Sequence, residues 1–206
     1  RYSSRCIELN FILSKVISMC LERDSCTLRD RGTFVFCEKL PAITNPISLF
    51  ESSSTTGQIP SKHWVLDRKL YEWSFLQNFI LQYGHPSQYR IVALLPSYLE
   101  RGNSSLVYMV EYLMKVSGHP HNAFFLHDFE ELSKLMAKPC SVPTILVGVT
   151  FALLDFTEKF PMPMENTIIM ETGGMKGRGK EPIRSEVHQL LTQRTGAVVH
   201  SEYGMT

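Results

Sequence analysis

Residues 144–174 read TILVGVTFALLDFTEKFPMPMENTIIMETGG. Two apolar runs rich in β-branched residues, 144–149 and 167–171, flank a segment at 151–160 that has a helical composition. Near-continuous apolar character is typical of a strand buried on both faces, whereas a half-exposed strand alternates apolar with polar residues. A strand, a helix and a second strand in this order predict parallel strands joined by a right-handed crossover. The stretch therefore predicts one unit of a parallel sheet.

The same alternation extends in both directions along the chain. Further β-rich runs lie at 89–95, 123–127 and 197–202, and further helical segments lie at 105–116, 128–137 and 183–194. We therefore predict an α/β fold with a doubly wound, mainly parallel sheet flanked by helices.

An additional helix is predicted at 68–83, ahead of the first β-rich run. Asp67 is placed to cap its N-terminus and Gly84 to end it. Its predicted apolar face consists of Leu76, Phe79, Ile80 and Tyr83.

Residues 1–44 differ from the rest, with scattered cysteines and charges and only one helical pattern, at 9–21. We leave residues 1–44 unassigned and predict an α/β domain over 45–206.

Composition excludes several functional classes. The chain is 44% hydrophobic with a net charge of +1, which favours a globular core and argues against nucleic acid as the main partner. The longest apolar run, 145–154, is too short to span a membrane. No signal peptide is evident, but this applies only to this sequence, which begins with Arg1 and not with an initiating methionine. Five cysteines without CxxC spacing favour a reducing, cytoplasmic location.

Residues 50–65, FESSSTTGQIPSKHWV, combine five consecutive hydroxyl side chains with a glycine and a lysine. Closely spaced backbone N–H groups, short hydroxyl donors and a cation suit a polyphosphate. The GxxxxGK[ST] spacing of a Walker loop is absent, since Lys62 lies five residues beyond Gly57. A Ser/Thr-rich surface loop is the alternative interpretation of this segment alone.

Glycine-containing turns follow two of the predicted strands. Residues 172–174 (TGG) follow the strand at 167–171, and residues 203–206 (YGMT) follow the strand at 197–202. In a parallel sheet both turns lie at the same edge, where ligands bind. Glycine lets backbone approach a flat ring, and Tyr203 offers a stacking face. The alternatives are a simple turn and a core tyrosine.

Five motifs together resemble the adenylate-forming superfamily of acyl-CoA synthetases and related ligases. They most closely resemble its acyl-protein synthetase branch, the fatty-acid-activating subunit of the bacterial luciferase fatty-acid reductase system. The motifs are PSKH (60–63), LPSYLERGNSSLVYM (95–109), GVTFALLDF (148–156), ETGGMKGRGKE (171–181) and SEYGMT (201–206). The resemblance covers roughly residues 45–206 and implies part of the family's large N-terminal domain.

The resemblance implies an ATP site with Mg²⁺ as the accompanying ion and no dedicated metal ligand among these residues. The implied phosphate-binding residues are Ser53, Ser54, Thr55, Thr56, Gly57, Lys62 and His63. The implied adenine-side residues are Gly173, Gly174, Glu202, Tyr203 and Gly204, and Thr206 is the implied catalytic threonine at the α-phosphate. The family's usual glycine is replaced here by Ser54. The family also has a glutamate after the threonine and a C-terminal domain bearing a catalytic lysine, so we expect this sequence to be part of a longer protein.

The implied reaction joins a carboxylate, typically a fatty acid, to ATP as an acyl-adenylate with release of pyrophosphate. The acyl group then passes to a protein cysteine and an acyl-protein reductase partner, or to coenzyme A in the acyl-CoA and aryl-CoA ligases. Tyr98 and Met205, which follow predicted strands, are candidates for the acyl side. A non-catalytic nucleotide-binding module is the alternative of another class. A dinucleotide-dependent oxidoreductase is disfavoured, because the GGMKGRG segment at 173–179 comes late in the sheet and lacks the acidic residue about 20 positions further on that the dinucleotide-binding fingerprint requires.

Two further features bear on metal binding and thiol chemistry. His119 and His121 flank Pro120 and could bind a metal, but no third ligand is evident, which favours a solvated loop. Cys140 is predicted to be a loop thiol between Pro139 and Pro143.

Overall fold

The computed structural model describes residues 48–51, 62–65, 67–96, 103–173 and 183–202. The strands in these ranges are β1 Ser48–Glu51, β2 Lys62–Val65, β3 Arg90–Leu94, β4 Ala123–Phe125, β5 Thr144–Val149, β6 Thr167–Thr172 and β7 Val198–Glu202. The α-helices are α1 Arg68–Tyr83, α2 Ser105–Ser117, α3 Phe129–Ala137, α4 Thr150–Lys159 and α5 Arg184–Thr195. The segment 1–44 and its helical pattern at 9–21 lie outside the described residues.

Five strands form a parallel sheet in the order β4-β3-β5-β6-β7. Every residue of β3 and β5 is buried, as the near-continuous apolar runs predicted. The α/β class, the parallel sheet and the flanking helices are thus confirmed. The carboxyl ends of all five strands lie at one edge, which we call the carboxyl edge.

Helices cover both faces of the sheet. The chain steps from β3 to β4 in one direction and from β4 through β5 and β6 to β7 in the other, so right-handed crossovers place α2 opposite α3, α4 and α5. On the first face Phe75 of α1 packs edge-on against Tyr112 of α2, with ring centroids 5.3 Å apart. On the second face Phe129 of α3 packs against Phe156 of α4 at 5.8 Å.

The ends of α1 lie where the sequence predicted them. The Asp67 carboxylate accepts the backbone N–H of Leu70 at 3.1 Å, and Gly84 ends the helix at a φ of 86°. The predicted apolar face is only partly correct, since the buried residues of α1 are Ser74, Phe75, Asn78 and Phe79. Apolar side chains occupy most of the circumference of this helix, and two of them, Trp73 and Leu81, are exposed. Sequence periodicity therefore could not identify the face that packs.

A two-stranded hairpin lies outside the main sheet. β1 pairs antiparallel with β2, with Phe50 opposite His63 and Glu51 opposite Lys62. The hydroxyl-rich loop is the connection of this hairpin and lies outside the described residues.

No helix in the described part of the chain is long and apolar enough to cross a membrane.

Helix α4 begins directly after β5, without a linker. Gly148 makes this reversal feasible, because a Cβ at this position would lie 2.7 Å from the Cγ and Cδ2 atoms of Leu153. Leu153 is fully buried and cannot move into solvent. The first turn of α4 is thereby held against the end of β5.

We expect Gly148→Ala to lower the free energy of unfolding by about 1–3 kcal/mol, because the added methyl group overpacks the space filled by Leu153. Leu153→Ala alone should cost about 2–5 kcal/mol through the cavity it leaves. The double variant should cost less than the two single variants together, since each change relieves the other. Urea unfolding of the four proteins measures this coupling. Strictly additive costs would contradict the proposed contact.

Candidate functional site

The ends of β6 and β7 bring two predicted site residues to adjacent positions. Thr172 is the register partner of Glu202, and its hydroxyl donates to the Glu202 Oε2 atom at 2.6 Å. Gly173 follows Thr172 with a φ of 79°, a conformation that a side chain would strain. The sequence correctly predicted that these residues share one edge, and the turn uses the conformational freedom of its first glycine.

Glu202 is a partly buried carboxyl group at this edge. Burial raises the pKa of Glu202 above its ordinary value, and the neighbouring charge of Glu171 raises it further, while the hydrogen bond from Thr172 acts in the opposite direction. The ionised carboxylate is therefore held in surroundings that solvate it poorly. Perturbed carboxyl groups of this kind concentrate at functional sites.

Glu171 lies on the other face of the same strand pair and is 4% exposed. Thr150, the first residue of α4, donates to one carboxylate oxygen of Glu171, and Ser201 of β7 donates to the other at 2.9 Å. Ser201 is also bonded to Nε2 of His188 on α5 at 2.7 Å. Sequence reasoning did not identify this network, because Glu171 was interpreted only as the end of a strand. Its signal was a glutamate inside an otherwise apolar buried run.

His188 contributes a neutral imidazole to this network. Burial lowers the pKa of His188, the charge of Glu171 raises it, and Arg184 lowers it. The single Ser201 hydroxyl proton is donated to Glu171, so Ser201 can only accept from His188. The hydrogen bond therefore requires the tautomer of His188 that carries its proton on Nε2.

Aromatic packing attaches the β1–β2 hairpin to the same edge. The ring of Phe50 lies 5.4 Å from that of Tyr71 on α1 and 5.5 Å from that of Tyr108 on α2. Burial raises the pKa of Tyr71 to about 12, with a further contribution from the charge of Glu202. Tyr71 thus interacts with both the hairpin and the end of β7. This places Phe50 of strand β1 on the same helix residue that senses the end of β7.

The structure describes only part of the predicted phosphate site. Lys62 and His63 are the first two residues of strand β2. In the register of the hairpin Lys62 pairs with Glu51, so these two residues lie at the two ends of the hydroxyl-rich loop. Outside the described residues lie Ser53, Ser54, Thr55, Thr56, Gly57, Tyr98, Gly174, Tyr203, Gly204, Met205 and Thr206.

A narrow apolar cavity of about 30 Å³ reaches the carboxyl edge. Its apolar walls are Phe75, Phe79, Met109, Leu113 and Met170, and Asn78, Gln82 and Glu202 also line it. The cavity lies between α1, α2 and the ends of β6 and β7. Its volume suits about two water-sized groups. Methionines in its wall can adjust to larger occupants, because the unbranched thioether side chain is flexible.

The strand order also defines a crevice at the carboxyl edge. The chain leaves β3 for β4 on one side and later returns to β5 on the other, so the order reverses between β3 and β5. Ligands of open parallel sheets bind at such reversal points.

Cys140 lies at the opposite, amino edge, just before β5 begins. It is a partly exposed loop residue, as predicted, with its Sγ 3.7 Å from Nε2 of His119. Among the described residues, no three His, Cys, Asp or Glu side chains are grouped so as to hold a metal ion. Six residues of β5 separate Cys140 from the carboxyl edge, a distance of about 20 Å. This thiol is therefore remote from the candidate site.

No protein-family model, curated protein or solved structure gives a significant match to the chain. The family suggested by the five motifs therefore stays a prediction, and the functional argument rests on the residues and their arrangement.

We expect Glu202→Gln to raise the Tm by a few degrees at pH 7, because it removes a poorly solvated charge and keeps an acceptor for Thr172. The folded pKa of Glu202 is raised, so the unfolded chain releases this proton first as the pH rises above 4.5. Wild-type stability consequently falls relative to the variant between pH 4 and pH 7. Thermal unfolding at the two pH values measures the difference. Glu111→Gln, at an exposed position on α2, is the control, and an equal gain at both pH values would contradict the assignment.

Proposed function

We propose that the chain binds ATP at the carboxyl edge and, in the intact protein, activates a fatty acid as an acyl-adenylate with release of pyrophosphate. The acyl group is then transferred to a protein cysteine, as in an acyl-protein synthetase. The observation that carries the proposal is the meeting of three features at one edge. They are the Thr172–Gly173 turn beside Glu202, the base of the hydroxyl-rich loop and an apolar cavity.

The adenine side is supported by the two adjacent strand ends. The positive φ of Gly173 exposes backbone to which a flat base can lie close. Glu202 presents a carboxyl acceptor one strand away, and the exocyclic amine of adenine is a donor of matching chemistry. Discrimination by such a buried acceptor is strong, because a ligand without the donor leaves the acceptor unpaired.

The phosphate side is supported by the hairpin. Its strands hold the two ends of the hydroxyl-rich loop together through the pairing of Glu51 with Lys62. Phe50 anchors the hairpin to α1 and α2, so the loop starts from a fixed base. Hydroxyls, backbone N–H groups and Lys62 supply the charge neutralisation that a triphosphate requires.

The acyl side is supported by the apolar cavity. Its walls are formed by aromatic and unbranched side chains, and it ends beside Glu202 at the same edge as the proposed adenine site. A carboxylic acid whose apolar chain enters the cavity would present its carboxylate towards that edge. Because the cavity holds only about two water-sized groups, an acyl chain would enter it by displacing the flexible methionine side chains, which a slim, unbranched chain requires less than a bulky ring.

In the proposed reaction a carboxylate oxygen attacks the α-phosphorus and pyrophosphate leaves. The chain would contribute by aligning the two reactants and by stabilising phosphate charge, which are the major effects in this class of chemistry. Mg²⁺ would arrive on the phosphates of ATP, because it binds mainly phosphate and water oxygens in such sites. Thr206 is the residue proposed to contact the α-phosphate. The acyl acceptor, a protein cysteine or coenzyme A, is distinguished by mass analysis of the intact protein after incubation with ATP and fatty acid.

We predict that Thr55→Val with Thr56→Val weakens ATP binding at least tenfold and AMP binding less than twofold, because the loop addresses the outer phosphates. Isothermal titration of the 206-residue chain with each nucleotide measures this ratio. Thr192→Val, at an exposed position on α5, is the matched control. Equal losses for ATP and AMP would count against the phosphate assignment.

We predict that Met109→Phe shifts the preference of the intact protein towards shorter fatty acids, because the larger ring fills the cavity. The expected loss for long chains is about tenfold in kcat/KM, the scale of one methylene contact in an apolar pocket. Fatty-acid-dependent ATP–pyrophosphate exchange over a series of chain lengths measures the profile. Met114→Phe changes an equally buried methionine of the same helix that does not line the cavity. Identical profiles for the two variants would remove the cavity from the site.

A further inference from the structure

We propose that Glu171 is a positioning residue that sets the surface on which the nucleotide base rests. Through the hydroxyls of Thr150 and Ser201, its carboxylate connects the Gly173 turn, the start of α4 and the end of β7. The inference rests on the proposed function for the identity of the ligand. The positioning itself is a property of the folded chain and can be measured without a ligand.

The hydrogen-bond donors to the Glu171 carboxylate come from residues that border the candidate site. One oxygen accepts from Thr150 and the other from Ser201, and all three residues are less than 5% exposed. A buried carboxylate is costly unless both oxygens find donors. The fold therefore favours those positions of α4 and β7 in which the two hydroxyls reach Glu171.

Thr150 extends this constraint to the backbone of the turn. Its single hydroxyl proton is shared in a bifurcated hydrogen bond between the Glu171 carboxylate and, at 3.2 Å, the carbonyl oxygen of Gly173. The position of Thr150 is itself fixed, because α4 begins without a linker and packs against Gly148. The Gly173 carbonyl is thus tied to the junction of β5 and α4.

Ser201 extends the constraint in the other direction. It is the register partner of Glu171 and directly precedes Glu202, whose carboxyl group faces the candidate ligand. The hydrogen bond from His188 holds the Ser201 hydroxyl and ties α5 to the same point. Both backbone segments that border the proposed base site, 172–173 and 201–202, therefore depend on one carboxylate.

Apolar packing alone would not fix these segments in the same way. Apolar contacts are non-directional, whereas hydrogen bonds at defined distances select one geometry of the groups they join. On the opposite face of the same strand ends, the Thr172–Glu202 hydrogen bond provides a second connection between β6 and β7. The base site is thus bordered by polar connections on both faces of the sheet.

The first experiment compares Thr150→Val, which removes the hydroxyl, with Thr150→Ser, which retains it. We expect amide hydrogen exchange in 172–173 and 201–202 to become at least tenfold faster in Thr150→Val, and Thr150→Ser to restore wild-type protection. Thr157→Val is the matched control, because Thr157 is equally buried on α4 but donates to carbonyls of its own helix. Unchanged exchange at the two segments in Thr150→Val would overturn the proposal.

The second experiment titrates the same proteins, and Ser201→Ala, with adenosine, AMP and ATP. A change confined to the base site should weaken all three ligands by a similar factor of about three to ten, unlike a change in the hydroxyl-rich loop. Faster exchange without any loss of affinity, in a wild type that binds, would overturn the positioning role. If the wild type binds none of the three while exchange still responds to Thr150→Val and to Ser201→Ala, the proposed function fails and the control of the turn by the Glu171 network stands.

Discussion

The burial of β5 on both faces is the constraint on which the rest of the structure depends. All six residues of this strand are buried, so helices must cover both sides of the sheet. Crossover helices in turn require parallel neighbours, and parallel neighbours bring every carboxyl end to one edge. The candidate site exists because five strand ends meet there. No single residue of the site has to create this location.

The same architecture explains why the polar residues are concentrated at the strand ends. In the middle of the sheet, buried side chains are almost entirely apolar, because a buried polar side chain there would find few hydrogen-bond partners. At the strand ends, side chains and backbone of neighbouring elements can supply these partners. Glu171 of β6 pairs with Ser201, and Glu202 of β7 pairs with Thr172, which is the next register position. The two carboxyl groups therefore lie on opposite faces of the sheet. Both oxygens of Glu171 accept hydrogen bonds, whereas burial raises the pKa of Glu202, so the unfavourable contribution at this edge lies with Glu202. Local instability that the rest of the fold supports is typical of functional sites.

Sequence patterns predicted the sheet almost completely and the site only in part. Strong local signals, such as the apolar runs of β3 and β5 and the Asp67 cap, fixed the elements and their ends. The face of α1 was wrong in part, because apolar residues surround that helix and only tertiary contacts with Phe75 and Phe79 select the buried side. The hairpin strands were not predicted, since four residues on each side of a polar loop carry little periodicity. The Glu171 network was missed because it joins residues from four elements that are distant in sequence.

Tyr71 shows how two separately recognised motifs become one site. The hydroxyl-rich loop and the ETGG turn are more than 110 residues apart in sequence, and neither contains information about the other. Phe50 packs on Tyr71, and the charge of Glu202 acts on the same tyrosine, so α1 links the hairpin to the end of β7. Because Tyr71 is uncharged at neutral pH, with a pKa of about 12, it can stay partly buried near the charge of Glu202. For a ligand that spans both motifs, the relative position of the motifs would therefore be set by α1, which carries neither of them. The affinity for such a ligand would depend on the packing of α1 as much as on the motifs themselves.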